Sequence, residues 1–163
     1  MTTERLILRA NVPADFDAYA AFYASDRAAL RGGMKSRPQA FIQFCAEIGH
    51  WDVRGYGFWA VEEKETGAYC GQVGCWFPEG WAAKEIGWLV MAEHEGKGFA
   101  YEAALKARAY AYDVLKWKEA ASCIAEGNER SIRLAERMGC TFERRHPREG
   151  LPDHLVYRHP PPG

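Results

Sequence analysis

The run Glu85-Ile86-Gly87-Trp88-Leu89-Val90-Met91 is almost continuously apolar, as suits a strand covered on both faces. Its one charged member, Glu85, is therefore conspicuous. Just downstream, Glu95-Gly96-Lys97-Gly98-Phe99-Ala100 leads into a helical pattern. A buried strand, a glycine-bearing turn and a helix together make an anion site, because the helix N-terminus leaves N–H groups unpaired and its dipole favours negative charge. Gly96 and Gly98 let the backbone approach such an anion closely, where a side chain would obstruct it. This is no Walker loop, since Gly98 follows Lys97 where Ser or Thr is required. A dinucleotide fingerprint is excluded too, for want of the third spaced glycine. Taken alone, the Gly-x-Gly pair equally suits a plain tight turn.

The elements that must hold these residues follow from period and punctuation. Leu6 to Arg9 reads as a first strand. A helical pattern then starts near Pro13 and runs through Phe16, Tyr19, Ala20 and Tyr23, with Asp15 and Asp17 in its first turn. After Arg31-Gly32-Gly33, a second helix follows Pro38, with apolar positions at Phe41, Ile42, Cys45 and Ile48. Phe58 to Val61 and Ala68 to Phe77 make a hairpin about Glu65-Thr66-Gly67. The helix opened by Gly98 is expected to reach about Trp117, with Ala100, Ala104, Ala107, Ala111 and Val114 on one stripe. Ala121 to Ala125 is a strand, Glu129 to Met138 a helix stopped by Gly139, and Thr141 to Arg144 and Leu155 to Arg158 are closing strands. This order predicts a mixed α/β or α+β fold.

A chain of 163 residues is expected to form a single domain over 1–163 with a full core. Lys and Arg number 21 against 22 Asp and Glu, a net charge of −1, so no global field favours nucleic acid or an anionic membrane. Neither is expected as a partner. Cys45, Cys70, Cys75, Cys123 and Cys140 form no CxxC pair and read as free thiols in a reducing, cytoplasmic setting, with no metal site expected. No window offers the roughly 20 apolar residues of a membrane span. The tail Pro160-Pro161-Pro162-Gly163 is the one low-complexity stretch.

Glu85-Ile86-Gly87-Trp88 through Glu95-Gly96-Lys97-Gly98-Phe99-Ala100-Tyr101-Glu102-Ala103 resembles the acetyl-CoA-binding core of the GNAT superfamily of N-acetyltransferases. It is most similar to the branch that acetylates ribosomal-protein N-termini and many small amines. Glu126-Gly127-Asn128-Glu129-Arg130-Ser131-Ile132-Arg133, Glu136-Arg137-Met138-Gly139-Cys140, the opening Thr3-Glu4-Arg5-Leu6-Ile7-Leu8-Arg9 and the late Asp153-His154-Leu155-Val156-Tyr157 fit in order. The resemblance implies a mostly antiparallel central sheet with a splayed central strand and helices on both faces. It implies an acyl-CoA-dependent enzyme with acetyl-CoA as co-substrate. Leu89, Val90 and Met91 would then pair with pantetheine; Glu95, Gly96, Lys97, Gly98, Phe99, Ala100 and Tyr101 would cradle the pyrophosphate; Asn128 would bond the pantetheine arm. As residues alone, Leu89 to Met91 also read as core, and Asn128 as a helix N-cap. Arg130, Arg133 and Arg137 share a helical face that suits either solvent or a CoA phosphate. The family has Arg or Gln where Glu95 stands, and Thr where Tyr101 stands. A carboxylate there is expected to oppose pyrophosphate binding.

Transfer needs a deprotonated amine, and Glu85 on its buried strand is the expected general base, since desolvation raises a carboxylate's pKa. The leaving thiolate needs a proton. Ser131 matches the serine used in the ribosomal branch, and Tyr157 the tyrosine used elsewhere. His94 reads as an exposed turn residue. The acceptor is expected to be an amine-bearing small molecule or a peptide N-terminus, with Asp26 to Arg37 and His146 to Asp153 as pocket rims. A catalytically idle acyl-CoA- or partner-binding domain is the alternative, and a homodimer is left open.

Overall fold

The computed structural model describes residues 1–161; Pro162 and Gly163 of the proline tail lie outside them. The strands are β1 (Leu6–Arg9), β2 (Phe58–Glu63), β3 (Tyr69–Trp76), β4 (Glu85–Val90), β5 (Ala121–Ala125), β6 (Thr141–His146) and β7 (His154–Arg158). They form a seven-stranded sheet in the order β1-β2-β3-β4-β5-β7-β6. Every neighbouring pair is antiparallel except β4 and β5. The helices are α1 (Phe16–Tyr23), α2 (Arg37–Arg54), α3 (Phe99–Asp113) and α4 (Glu129–Arg137). Among the described residues no helix is long and apolar enough to cross a membrane.

The sheet is covered on both faces. Beneath α3 and α4 the core gathers Leu6, Leu8, Val61, Val73, Ile86 and Ile124 against Phe99, Ala103, Ala104, Ala107 and Ala111. A separate cluster joins Tyr19, Tyr23 and Phe44 of α1 and α2 to Leu89 and Met91. Alanines at helical spacing let α3 lie close to the strands, since a small side chain shortens the interaxial distance.

Two helices depart from the reading of their sequence. α3 ends at Asp113, and Val114 is exposed. Both Val114 and Leu115 donate their N–H to the Tyr110 carbonyl, and Lys116 turns the chain at φ 56°. In α2 the apolar positions Phe41, Ile42, Cys45 and Ile48 are exposed, whereas Ala40, Phe44, Glu47 and His50 are buried. Beneath the helix lies a cavity that Gln39, Gln43 and Glu47 line together with Ile42 and Ala46. Ser36 caps α2 in a reciprocal pair with Gln39, and Gly55 at φ 77° ends it. All five cysteines are free; only Cys45 is exposed.

One topological fact positions the site. β4 and β5 run parallel and pair only at Glu85↔Ala121. Beyond that point they diverge, bridged once by the Ser122 hydroxyl, which donates to the Ile86 carbonyl at 2.7 Å. The sheet is split, and the split opens toward α3 and α4.

Candidate active site

A cleft of about 600 Å³ runs from the split along the start of α3. Glu95, Gly96, Lys97, Gly98, Phe99, Ala100 and Tyr101 all line it, as do Leu89, Val90, Asn128 and Ser131. Met91 does not. It packs in the core and donates its N–H to Cys70, because the strand has already given way to a short 3-10 turn. The Val90 carbonyl also has a protein donor, Arg27 Nη2 at 3.0 Å.

The loop before α3 is shaped for a ligand. Gly96 and Gly98 sit at φ 75° and 80°, backbone that L side chains rarely adopt, and a Cβ added at Gly96 would meet nothing within 4 Å. Arg5 donates to the Lys97 carbonyl at 2.8 Å and is itself held by Glu102 at 2.7 Å, tying the loop to β1. The donor set fits a pyrophosphate: unpaired amides at a helix start beside cationic side chains. Substituting Gly98→Asp should weaken acetyl-CoA binding at least about tenfold, through backbone strain at φ 80° and a side chain with negative charge in the path of the phosphate. Calorimetry with unchanged affinity would take the loop out of the site.

Glu95 behaves otherwise than its charge suggests. Its carboxylate is gripped by Arg27 and, at 2.6 Å, by Arg130. The ion pairs fasten the loop to the segment after α1 and to α4, so the expected repulsion is offset locally. Tyr101 lies under Arg137, whose guanidinium carbon is 4.8 Å from the ring centroid. Arg130 and Arg137 line the cleft, while Arg133 is exposed. His94 is buried, stacks with Phe99 and lines the same cleft, which corrects its reading as an exposed turn residue. Its ring lies with Glu63 and Cys70, their candidate ligand atoms within 4.8 Å of one another, although Lys97 already stands 3.6 Å from the Glu63 carboxylate.

α4 begins beside the split. Asn128 caps it, its side-chain oxygen accepting from the Ser131 N–H at 3.3 Å. The cap uses the amide oxygen and leaves the amide nitrogen for the cleft. Ser131 Oγ accepts from Trp88 Nε1 at 3.2 Å. An indole N–H only donates, so the serine hydroxyl hydrogen stays available. Tyr157 packs in the core beside Phe142 and does not line this cleft. Burial and the nearby Glu136 and Glu129 push its phenol pKa up.

On the other side of the split lies a cavity of about 610 Å³ walled by Phe58, Trp76 and Trp81. Glu85 stands at its floor, 4% exposed, and accepts from the Trp81 indole. Gly87 makes room for it: a Cβ there would fall 3.1 Å from both Glu85 Oε1 and the Phe58 ring. Burial drives the Glu85 pKa up, with Arg31 pulling against it. Glu47, reached from α2, is the second buried carboxylate; its Oε1 accepts from Tyr19 at 2.9 Å and Gln43 at 3.1 Å, and Oε2 has no partner. A smaller cavity within the split is lined by both Glu85 and Ser131.

Fold and site together define an acyl-CoA-dependent N-acyltransferase. Residues 5–141 match the family model described as an acetyltransferase (GNAT) domain, and the chain belongs to that family. An acetyltransferase of known structure from Agrobacterium tumefaciens C58 is 38% identical, with a TM-score of 0.89 over 98% of this chain and 92% of that one. The uncharacterized protein YkkB of Bacillus subtilis is 33% identical over 120 residues, covering 69% of this chain and 66% of that protein. YdaF of the same organism, whose name provisionally assigns it ribosomal N-acetyltransfer, is 40% identical over 67 residues, 41% of this chain and 36% of its own.

Sequence reasoning missed several residues that shape the site. Arg5, Arg27, Arg31, Glu47 and Trp88 were given no individual role, although Arg5 and Trp88 fall within the matched segments and Arg27 and Arg31 within an expected pocket rim.

Proposed function

We propose that the protein moves an acetyl group from acetyl-CoA to a primary amine by direct attack in a ternary complex. The observation that carries this reading is the small cavity in the split, lined from the acceptor side by Glu85 and from the cleft side by Ser131. Acetyl-CoA supplies the activated acetyl group as a thioester. The β4 edge that faces the split, where Val90 has its N–H, and the amides from Gly96 to Tyr101 bind it, with Leu89 packing beside them, and Asn128 offers its amide nitrogen to the pantetheine arm. Glu85 takes the proton of the attacking amine, directly or through a water. As the N–C bond forms and the C–S bond breaks, the Ser131 hydroxyl donates to the departing sulfur. Trp88 is a positioning residue, holding the Ser131 oxygen so that its hydrogen points elsewhere.

A thiol-release assay across small amines and N-terminal peptides tests the reading. Saturable, amine-dependent release of CoA is the expected result. Acetyl-CoA binding without release on any amine would instead favour an idle binding domain.

A further inference from the structure

The acceptor cavity holds a group of cations with no direct carboxylate partner. Arg31, Lys35 and Arg148 all line it, and none forms an ion pair with a carboxylate among the described residues. Elsewhere the chain pairs its arginines freely: Arg9 with Asp15, Arg27 and Arg130 with Glu95, Arg158 with Glu143. Arg31 lies over the Phe58 ring, and its Nε is buried without a hydrogen-bond partner. Lys35 donates only to the Gly32 carbonyl, at 3.0 Å. Arg148 Nη1 donates to His154 Nε2 at 2.8 Å, a bond that needs a neutral imidazole. Burial and Arg148 hold the His154 pKa down at about 4, so this neighbour adds no negative charge and no competing cation near neutral pH.

Two carboxylates face the same space, Glu85 and Glu47, and burial raises the pKa of both. They offset the cations incompletely. Partly buried guanidinium and ammonium groups without counter-ions are costly, and an incoming anion would satisfy them with charge-assisted hydrogen bonds. Arg148 and Glu85 line the same cavity, so one small molecule lying in it can meet both groups.

We propose that the acceptor is an amine that also carries an anionic group, a carboxylate or a phosphate, held by Arg148 and Lys35 at the mouth of the cavity while its nitrogen meets Glu85. Phe58, Trp76 and Trp81 offer an apolar wall to the rest of the molecule. This inference rests on the acetyl-transfer reading above.

Matched pairs of acceptors test it: phenylalanine against its methyl ester for the carboxylate, and O-phosphoethanolamine against ethanolamine for the phosphate. The anionic member of one pair should be preferred at least about tenfold in kcat/KM, the scale of a hydrogen bond between charged groups. Which pair responds identifies the anion. In Arg148→Met and Lys35→Met the preference should fall toward unity. Calorimetric titration of the same probes into the CoA-saturated protein reads the preference without turnover. Absent transfer with retained preference in binding would sink the reaction and keep the anion site. Equal or weaker binding of the anionic member in both pairs, or no saturable binding of any probe, overturns the proposal.

Discussion

Glu85→Gln should lower turnover by about 10²–10⁴-fold, the usual contribution of a general base, while leaving acetyl-CoA affinity intact. The carboxylate is buried beside the strand, Trp81 and Phe58 at the floor of the cavity, and burial raises its pKa above the ordinary value while Arg31 restrains the rise. A base works only when ionised. Wild-type activity should therefore climb with pH through this raised carboxyl pKa, and the glutamine variant should lack that limb. The deficit should also shrink at high pH, where free amine becomes abundant without assistance. The same shift has a consequence for stability with the opposite sign. A carboxyl whose folded pKa is raised favours the fold while protonated, so its contribution is full below the ordinary carboxylate pKa and is lost as pH rises through the folded value. A pH–rate profile in the variant that retains the wild-type limb would transfer the base role to Glu47, to water or to the backbone.

Ser131→Ala should cost about a hundredfold in turnover, more than Tyr157→Phe, with neither changing acetyl-CoA affinity by over ~1.5 kcal/mol. The serine lines both the cleft and the split, its oxygen is occupied by the Trp88 N–H, and the start of α4 favours a developing thiolate nearby. Tyr157 packs into the core under α4, away from that cleft. Trp88→Phe should reproduce part of the serine effect in kcat with little change in KM, since it frees the serine rotor without touching the binding loop. If Tyr157→Phe proves the more damaging in turnover with binding unchanged, the tyrosine replaces the serine as the acid.

The order of elements was legible because strands and helices differ in hydrophobic period, and because Gly67, Gly139 and the Gly96–Gly98 loop punctuate the chain. β1 and β5 have the bounds their sequence predicts. α2 was misread for a physical reason. Periodicity assumes that the apolar stripe faces a core, but this helix roofs a cavity into which it presents Gln39, Gln43 and Glu47, and it buries Glu47 instead of Phe41 and Ile48. The state of Glu95 was illegible as well. Its partner Arg27 lies 68 residues away, and an ion pair of that span leaves no local signature. Gly87, by contrast, was visible in the motif, although only the packing of Glu85 and Phe58 explains why a side chain there would be crowded.

The parting of β4 from β5 has a mechanical consequence. Past Glu85 and Ala121 the sheet has an edge in its interior, so β1 to β4 and β5 to β7 are two plates hinged by one backbone pairing and the Ser122 hydroxyl. Amides along an interior edge lack the ladder that protects amides within a plate. They should exchange with solvent deuterium earlier than those of β2 and β3, and slow once a ligand lies in the gap. Binding would then act as a rivet between the plates: heating should separate them in poorly synchronised steps when the gap is empty and as one unit when it is filled.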